Sequence, residues 1–236
     1  MTIPEVLWHY TDATGLHGIL SSGRLRLTDV RFLNDRTERT YGSATISSRV
    51  DELIRDGKLD SKITDPKYAG VRIAGERLYV CSLTECGDAL SQWQRYAADG
   101  AGYCIGFDAR ALLPTDSVDA VGFQLPPLSR LCRVYDTNLK RFTVVHDPPI
   151  LRQMIYEKTL QNEKIDLWVR EVISRTRSVM EAARYFDLAL DELAVQFKNP
   201  LFEDEREWRL IQQANQHDSN DIVRFATTGH YRSTIR

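Results

Sequence analysis

The segment Glu205-Arg206-Glu207-Trp208-Arg209-Leu210-Ile211 sets two carboxylates two residues apart at the head of an apolar run. In a strand, positions i and i+2 point to one face, so Glu205 and Glu207 stand side by side while Trp208 and Leu210 face the other way. Carboxylates that close repel. A fold either leaves both in water or sets at least one against a cationic centre or a proton. The chemistry on offer is proton transfer or stabilisation of developing positive charge. The bland alternative is a solvated strand edge beside Arg206 and Arg209.

Three other clusters carry polar or aromatic residues that composition alone does not require. In Trp8-His9-Tyr10-Thr11, His9 alternates with Leu7 and Thr11, and it either lines a pocket or is a satisfied core histidine. In the run from Phe32 to Glu38, Asn34 and Asp35 suit the cap of a following helix. The third cluster joins Ser82, Thr84 and Glu85 to Gln92, Trp93 and Tyr96. Leu90, Trp93 and Ala97 have the spacing of a buried helix face, which predicts a buried Trp93 and leaves Tyr96 and Gln92 on a flank facing ligand or solvent. The cysteines at 81, 86, 104 and 132 match no zinc-ligand spacing. Cys81, Cys104 and Cys132 lie in apolar, strand-like runs and read as core residues. A nucleophilic Cys81 or Cys86 would need a base, and no histidine is near either in sequence.

The elements that must position these groups follow from the pattern. VLWHY is a strand; Asp12 or Thr14 caps a helix through GLHGILSS that stops at Gly23. RLRLTDV is a second strand, followed by a polar loop and a helix to about Ile54. RLYVCSLTE is the best strand of the first half. Asp88 then caps a helix through ALSQWQRYA, and GYCIGFD, SVDAVGFQL and RLCRVYD are strands, the last two parted by Pro126-Pro127. Asp147-Pro148 starts a helical block that runs to about Lys198, with breaks near Asn162 and Arg177. Strands return at EWRLIQQ and DIVRFAT. The expectation is a single α+β domain over 1–236, with a mixed or antiparallel sheet, flanking helices and a helical insertion at about 148–198.

Composition excludes some classes. Lys and Arg total 31 against 33 Asp and Glu, a net charge of −2, so the bulk balance advertises neither nucleic acid nor membrane. No run approaches 18 apolar residues and the first ten residues lack the pattern of a leader, which predicts a cytoplasmic, unanchored protein.

The WHYTDATGLHGILSSGRLRLTDVRFLND opening, VCSLTE, the LSQWQRYA helix with GYCIGFD, and FEDEREWRLI resemble the bacterial family called domain of unknown function 2971, in order from about residue 7 to 211. The first unit, a strand ending in His-Tyr-Thr followed by a GLxxILxxGxL helix, is also similar to that of the ADP-ribosyltransferase fold. That second resemblance implies NAD as substrate, bound in the cleft of a split sheet. It implies His9 on the first strand, Ser82 or Thr84 on a middle strand or Tyr96 on the helix, and Glu207 near a late strand. Glu205 and Glu207 have the Glu-x-Glu spacing of arginine-modifying members.

Cleavage of the nicotinamide glycosidic bond passes through an oxocarbenium-like state, which a carboxylate stabilises. Glu207 takes that role, with Glu205 orienting or deprotonating the acceptor. A neutral His9 bonds a ribose hydroxyl, Tyr96 or Tyr10 stacks on nicotinamide, and Thr11 joins the cofactor-binding set. No metal is required. The resemblance implies a toxin or phage-defence enzyme acting on a protein, nucleic acid, small molecule or water, with an antitoxin or a second copy as partner. Two alternatives stand beside it: a nucleotide-sensing module without turnover, and a metal-dependent nuclease using Asp35, Glu38, Glu85, Glu205 and Glu207.

Overall fold

The computed structural model describes residues 3–33, 36–65, 67, 76–112, 134–136, 141–143, 149–215, 223–225 and 231–235. The chain opens with β1 (Val6–Thr11) and α1 (Ala13–Ser22). Asp12 caps α1 by accepting from the Gly15 backbone at 2.6 Å. Gly23 ends the helix in the left-handed region, φ 61, and its N–H returns to the Ile19 carbonyl at 2.8 Å. A side chain at Gly15 would collide with Thr11 Oγ1, so glycine lets the helix leave directly from the strand.

β2 (Leu25–Asp29), α2 (Arg36–Arg55), β3 (Glu76–Thr84), α3 (Leu90–Tyr96) and β4 (Tyr103–Asp108) follow. β5 (Val134–Asp136) and β6 (Arg141–Thr143) form a separate two-stranded ladder. Then come β7 (Ile150–Gln153), α4 (Lys158–Arg175), α5 (Val179–Ala194), β8 (Glu207–Asn215), β9 (Val223–Phe225) and β10 (Tyr231–Ile235).

The main sheet runs β4-β1-β3-β2-β10-β9, with β8 between β3 and β7, and its strand pairs are antiparallel. One edge of β3 pairs with β8 from Glu76 to Thr84. The other edge is shared: β1 meets it at Trp8 opposite Thr84, and β2 meets it at Thr28 opposite Val80 and Asp29 opposite Tyr79. Cys81, Ser82 and Leu83 lie between these two junctions, so the sheet divides along β3.

Alternation along β3 and β8 sorts the core. Tyr79, Cys81, Leu83, Trp208 and Leu210 pack with Leu7, Leu25, Leu27 and Leu151 on one face, against Ile19 of α1. Leu78, Val80 and Ile211 face the other way and meet Val195 at the end of α5. Beyond them α2, α4 and α5 build a helical layer around Ile46, Val50, Ile165, Trp168 and Phe186.

Several expectations need correction. The block from 148 is not helical throughout: Ile150–Gln153 is a strand on β8, and the helices begin at Lys158. Four apolar residues next to turn residues fit either period, and pairing with β8 decides. α4 runs through Asn162 without a break, whereas a break does fall at Arg177, before the Ser178 cap of α5. The phase of α3 also differs. Leu90 is 73% exposed and Trp93 half-buried, while Gln92 and Ala97 face inward. Trp93 instead packs edge-on against Tyr10, ring centroids 5.0 Å apart, and donates Nε1 to Asp88 at 2.8 Å. The Pro126-Pro127 turn and the Asp147-Pro148 start lie outside the described residues.

Candidate functional site

A cleft of about 480 Å³ opens where the sheet divides, lined by His9 from β1, Arg26 and Thr28 from β2, Ser82 from β3, Arg95 and Tyr96 from α3, and Glu207 and Arg209 from β8. A smaller recess of about 70 Å³ adjoins it and adds Tyr10, Thr84, Gln92 and Glu205. Ser82, Thr84, Glu207 and Arg209 share a face because Ser82 stands opposite Arg209 and Thr84 opposite Glu207. Of the residues singled out in sequence, His9, Ser82, Tyr96 and Glu207 line both cavities; Tyr10 and Glu205 line the recess; Thr11 lines neither.

The two carboxylates do not share a strand. Glu205 ends a 3₁₀ turn, Pro200–Glu205, and Glu207 opens β8. Between them Arg206 adopts a left-handed backbone, φ 41, with its N–H on the Glu203 carbonyl at 3.0 Å. Thr84 Oγ1 donates to the Glu205 carbonyl at 2.7 Å and so ties this turn to β3. The side chains nevertheless converge. Both are buried, and both accept from Lys198 Nζ, at 2.6 Å for Glu205 Oε2 and 2.7 Å for Glu207 Oε2. Glu205 Oε1 accepts from Arg95 at 2.7 Å. Glu207 takes a two-pronged contact from Arg209, at 2.6 Å on Oε1 and 3.0 Å on Oε2. A fold that sets the pair against cations was one of the two outcomes the repulsion argument allowed, and the cations are Arg95, Lys198 and Arg209.

Burial by itself would raise the Glu207 pKa, but the charges of Arg209 and Lys198 outweigh it and bring it down to about 2. Glu207 is therefore an anion at any working pH and a poor proton acceptor. Among the described residues three of its four acceptor positions are occupied, which leaves one on Oε1. Glu205 retains a position on each oxygen, although Arg95 and Lys198 hold it in place.

His9 Nδ1 donates to the Ser82 carbonyl at 2.9 Å across the divide, and Cys81 Sγ lies 3.9 Å from the same nitrogen. Burial favours the neutral ring, yet the Cys81 sulfur and the Ser82 carbonyl hold the proton and push the pKa up to about 9. The shift runs against the neutral ring that the sequence suggested, and among the described residues the second nitrogen, Nε2, is left for a ligand. Tyr10 is committed elsewhere: its hydroxyl donates to the Cys86 carbonyl at 2.9 Å and accepts from the Ala89 N–H at 3.0 Å, pinning the loop ahead of α3. Burial pushes its pKa up to about 12, which keeps the donor proton in place.

The cleft therefore carries a cationic excess. Arg95, Lys198 and Arg209 face two carboxylates, and Arg26 adds a charge with no ion-pair partner among the described residues. Such a site favours an anionic ligand. No group of three or more His, Cys, Asp or Glu with a metal-holding arrangement occurs among the described residues. Glu85 turns away to accept from Trp208 Nε1 at 2.8 Å, and Asp35 and the Glu38 side chain lie outside the described residues.

Sequence reading missed Lys198 and Gln161. A lysine at the end of a helical block reads as solvated, yet Lys198 is 1% exposed. Gln161 of α4 is fully buried and donates to the carbonyls of Ile155, at 2.7 Å, and Lys198, at 3.0 Å. The only prior signal was a glutamine on the apolar side of a helix.

The family model described as a protein of unknown function (DUF2971) matches residues 92–210, half of the chain. The chain belongs to that family. The DUF2971 match runs from α3 into β8 and so takes in Arg95, Tyr96, Lys198, Glu205 and Glu207. His9, Arg26 and Ser82 precede it. No curated protein and no solved structure matches the chain. No helix among the described residues is long and apolar enough to cross a membrane.

Proposed function

We propose that the cleft binds NAD and cleaves its nicotinamide glycosidic bond, passing ADP-ribose to an acceptor or to water. The observation that carries this reading is the division of the sheet along β3, which gathers His9, Ser82, Tyr96 and Glu207 from distant parts of the chain around one cationic cleft. The resemblance of the β1–α1 unit to the ADP-ribosyltransferase fold supports it. Cations suit the pyrophosphate, and Tyr96 supplies a ring for nicotinamide.

In the reaction, the bond between ribose C1′ and the nicotinamide nitrogen breaks and its electron pair leaves with nicotinamide. The ribosyl group becomes cationic. Glu207, fixed as an anion, stabilises that charge, and its remaining Oε1 position accepts a ribose hydroxyl. The incoming nucleophile bonds to C1′ and gives up its proton, for which Glu205, with a position left on each oxygen, is the acceptor. An activity of this kind suits a cytoplasmic toxin or phage-defence effector restrained by an antitoxin or by pairing with a second copy.

A second reading has its own observation. Three of four Glu207 acceptor positions are taken by Lys198 and Arg209, which fits a module that binds a nucleotide without turning it over. One experiment separates the two: NAD is added to the protein, with and without cell extract, while nicotinamide release and calorimetric binding are followed. Release supports the enzyme, binding without release supports the sensor, and a protein that does neither removes NAD as the ligand.

A further inference from the structure

We infer that Lys198 is the positioning residue of the cleft: its ammonium bridges Glu205 and Glu207, keeps Glu207 charged and thereby sets the pH below which the site fails. The kinetic part of this rests on the proposed NAD chemistry; the electrostatic part does not.

Among the described residues Lys198 is the group that touches both carboxylates, at 2.6 and 2.7 Å, and these come from different local structures, a 3₁₀ turn and the first residue of β8. Arg95 reaches only Glu205 and is half-exposed, so solvent screens it. Of the two carboxylates, Arg209 contacts Glu207, and it also donates to the Val195 carbonyl at 2.9 Å. The other titratable or charged groups that face the pair among the described residues are the Tyr156 hydroxyl, which accepts from the Glu207 N–H at 2.9 Å, Arg152 of β7, opposite Arg209, and His9 and Arg26 across the cleft.

The ammonium is held from behind. The Lys198 N–H donates to the Ile155 carbonyl at 3.2 Å, its own carbonyl accepts from Gln161, and Ile155 bridges to Phe197. Its place is thus fixed by α4 and by the chain leaving β7 rather than by the cleft itself. An ammonium donating to two carboxylates has no lone pair to offer, which rules out an amine nucleophile. Remove it, and two buried carboxylates within one ammonium's reach repel, so one of them takes up a proton.

The test uses the full chain and its Lys198→Met, Lys198→Arg and Lys198→Met/Glu205→Gln variants, with the Glu207 carboxylate followed by carbon NMR against pH and NAD cleavage followed where wild type shows it. In Lys198→Met, Glu207 is expected to begin titrating roughly two pH units higher than in wild type. The acid limb of kcat is expected to move up with it while KM for NAD changes less than about threefold. Lys198→Arg keeps the wild-type titration, and the double variant returns towards it because the repulsion leaves with the second carboxylate. A single variant that fails to fold while the double variant folds also supports the proposal. It is overturned if Glu207 titrates alike in wild type and folded Lys198→Met, or if the single and double variants both fail to fold, since Lys198 then serves packing alone. A wild type without NAD turnover rejects the NAD reading and leaves the NMR comparison to decide the role of Lys198.

Discussion

Glu207 is the residue on which the proposed chemistry turns, and its substitution by glutamine keeps shape and reach while removing charge. Turnover of NAD by Glu207→Gln is expected to fall on the order of a hundredfold, the scale for losing a principal electrostatic stabiliser, with NAD affinity by calorimetry little changed. Because the change breaks a buried ion cluster, its stability cost, about 3–5 kcal/mol, has to be read beside the kinetics by urea unfolding. The sign of the pH dependence is set by the lowered pKa. Relative to an ordinary 4.5, a folded-state pKa of about 2 contributes stability that is present above 4.5 and lost as pH falls through 2. The urea midpoint should therefore drop over that window, and Glu207→Gln should flatten the drop. His9 has the opposite sign. With its pKa pushed up from 6.5 to about 9, its contribution is present below 6.5 and lost as pH rises through 9. NAD affinity is expected to weaken over the same range, and His9→Ala to weaken it at all pH values.

At the scale of elements, the cleft depends on how closely α2 approaches the end of α5, from which the chain leads to Lys198. A side chain at Gly42 of α2 would collide with the Ala194 carbonyl, so Gly42→Ala should cost roughly 1–3 kcal/mol in urea unfolding and disturb the Lys198 segment. Trp168 sits at the centre of the same helical layer, 1% exposed, with its ring 4.3 Å from that of Phe186. Trp168→Ala should cost about 3–5 kcal/mol. Trp168→Phe should cost well under half of that, because among the described residues Nε1 has no hydrogen-bond partner to lose. Trp93→Ala, at a half-buried ring, should fall below Trp168→Ala in the same assay; equal losses would mean that α3 is more deeply packed than its exposure shows.

For the whole molecule, the helical layer and the sheet are tied through Val195 against Val80 and Ile211, and through the Ile155–Phe197 bridge. Helix loss by circular dichroism and burial loss by tryptophan fluorescence should therefore coincide in urea. Separate transitions would show that α2, α4 and α5 unfold independently of the cleft they buttress.

Much of the scaffold is legible in the sequence. Alternation in RLYVCSLTE gave β3 its faces, Asp12 and Gly23 marked both ends of α1, and the parity of Trp208 and Leu210 against Glu207 was right, because period-two patterns and caps are local physics. The carboxylate pair announced a need for cations. Arg209 is legible as one of them, two residues from Glu207 on one strand face, but Arg95 of α3 and Lys198 of the segment after α5 reach the pair only through folding. Nor could it foresee that Glu205 leaves the strand, because Arg206 takes a left-handed backbone under tertiary constraint from Thr84. The cleft itself is a matter of pairing: β1 and β2 share one edge of β3, and no residue in either strand encodes that choice except through the partners it meets in the folded chain.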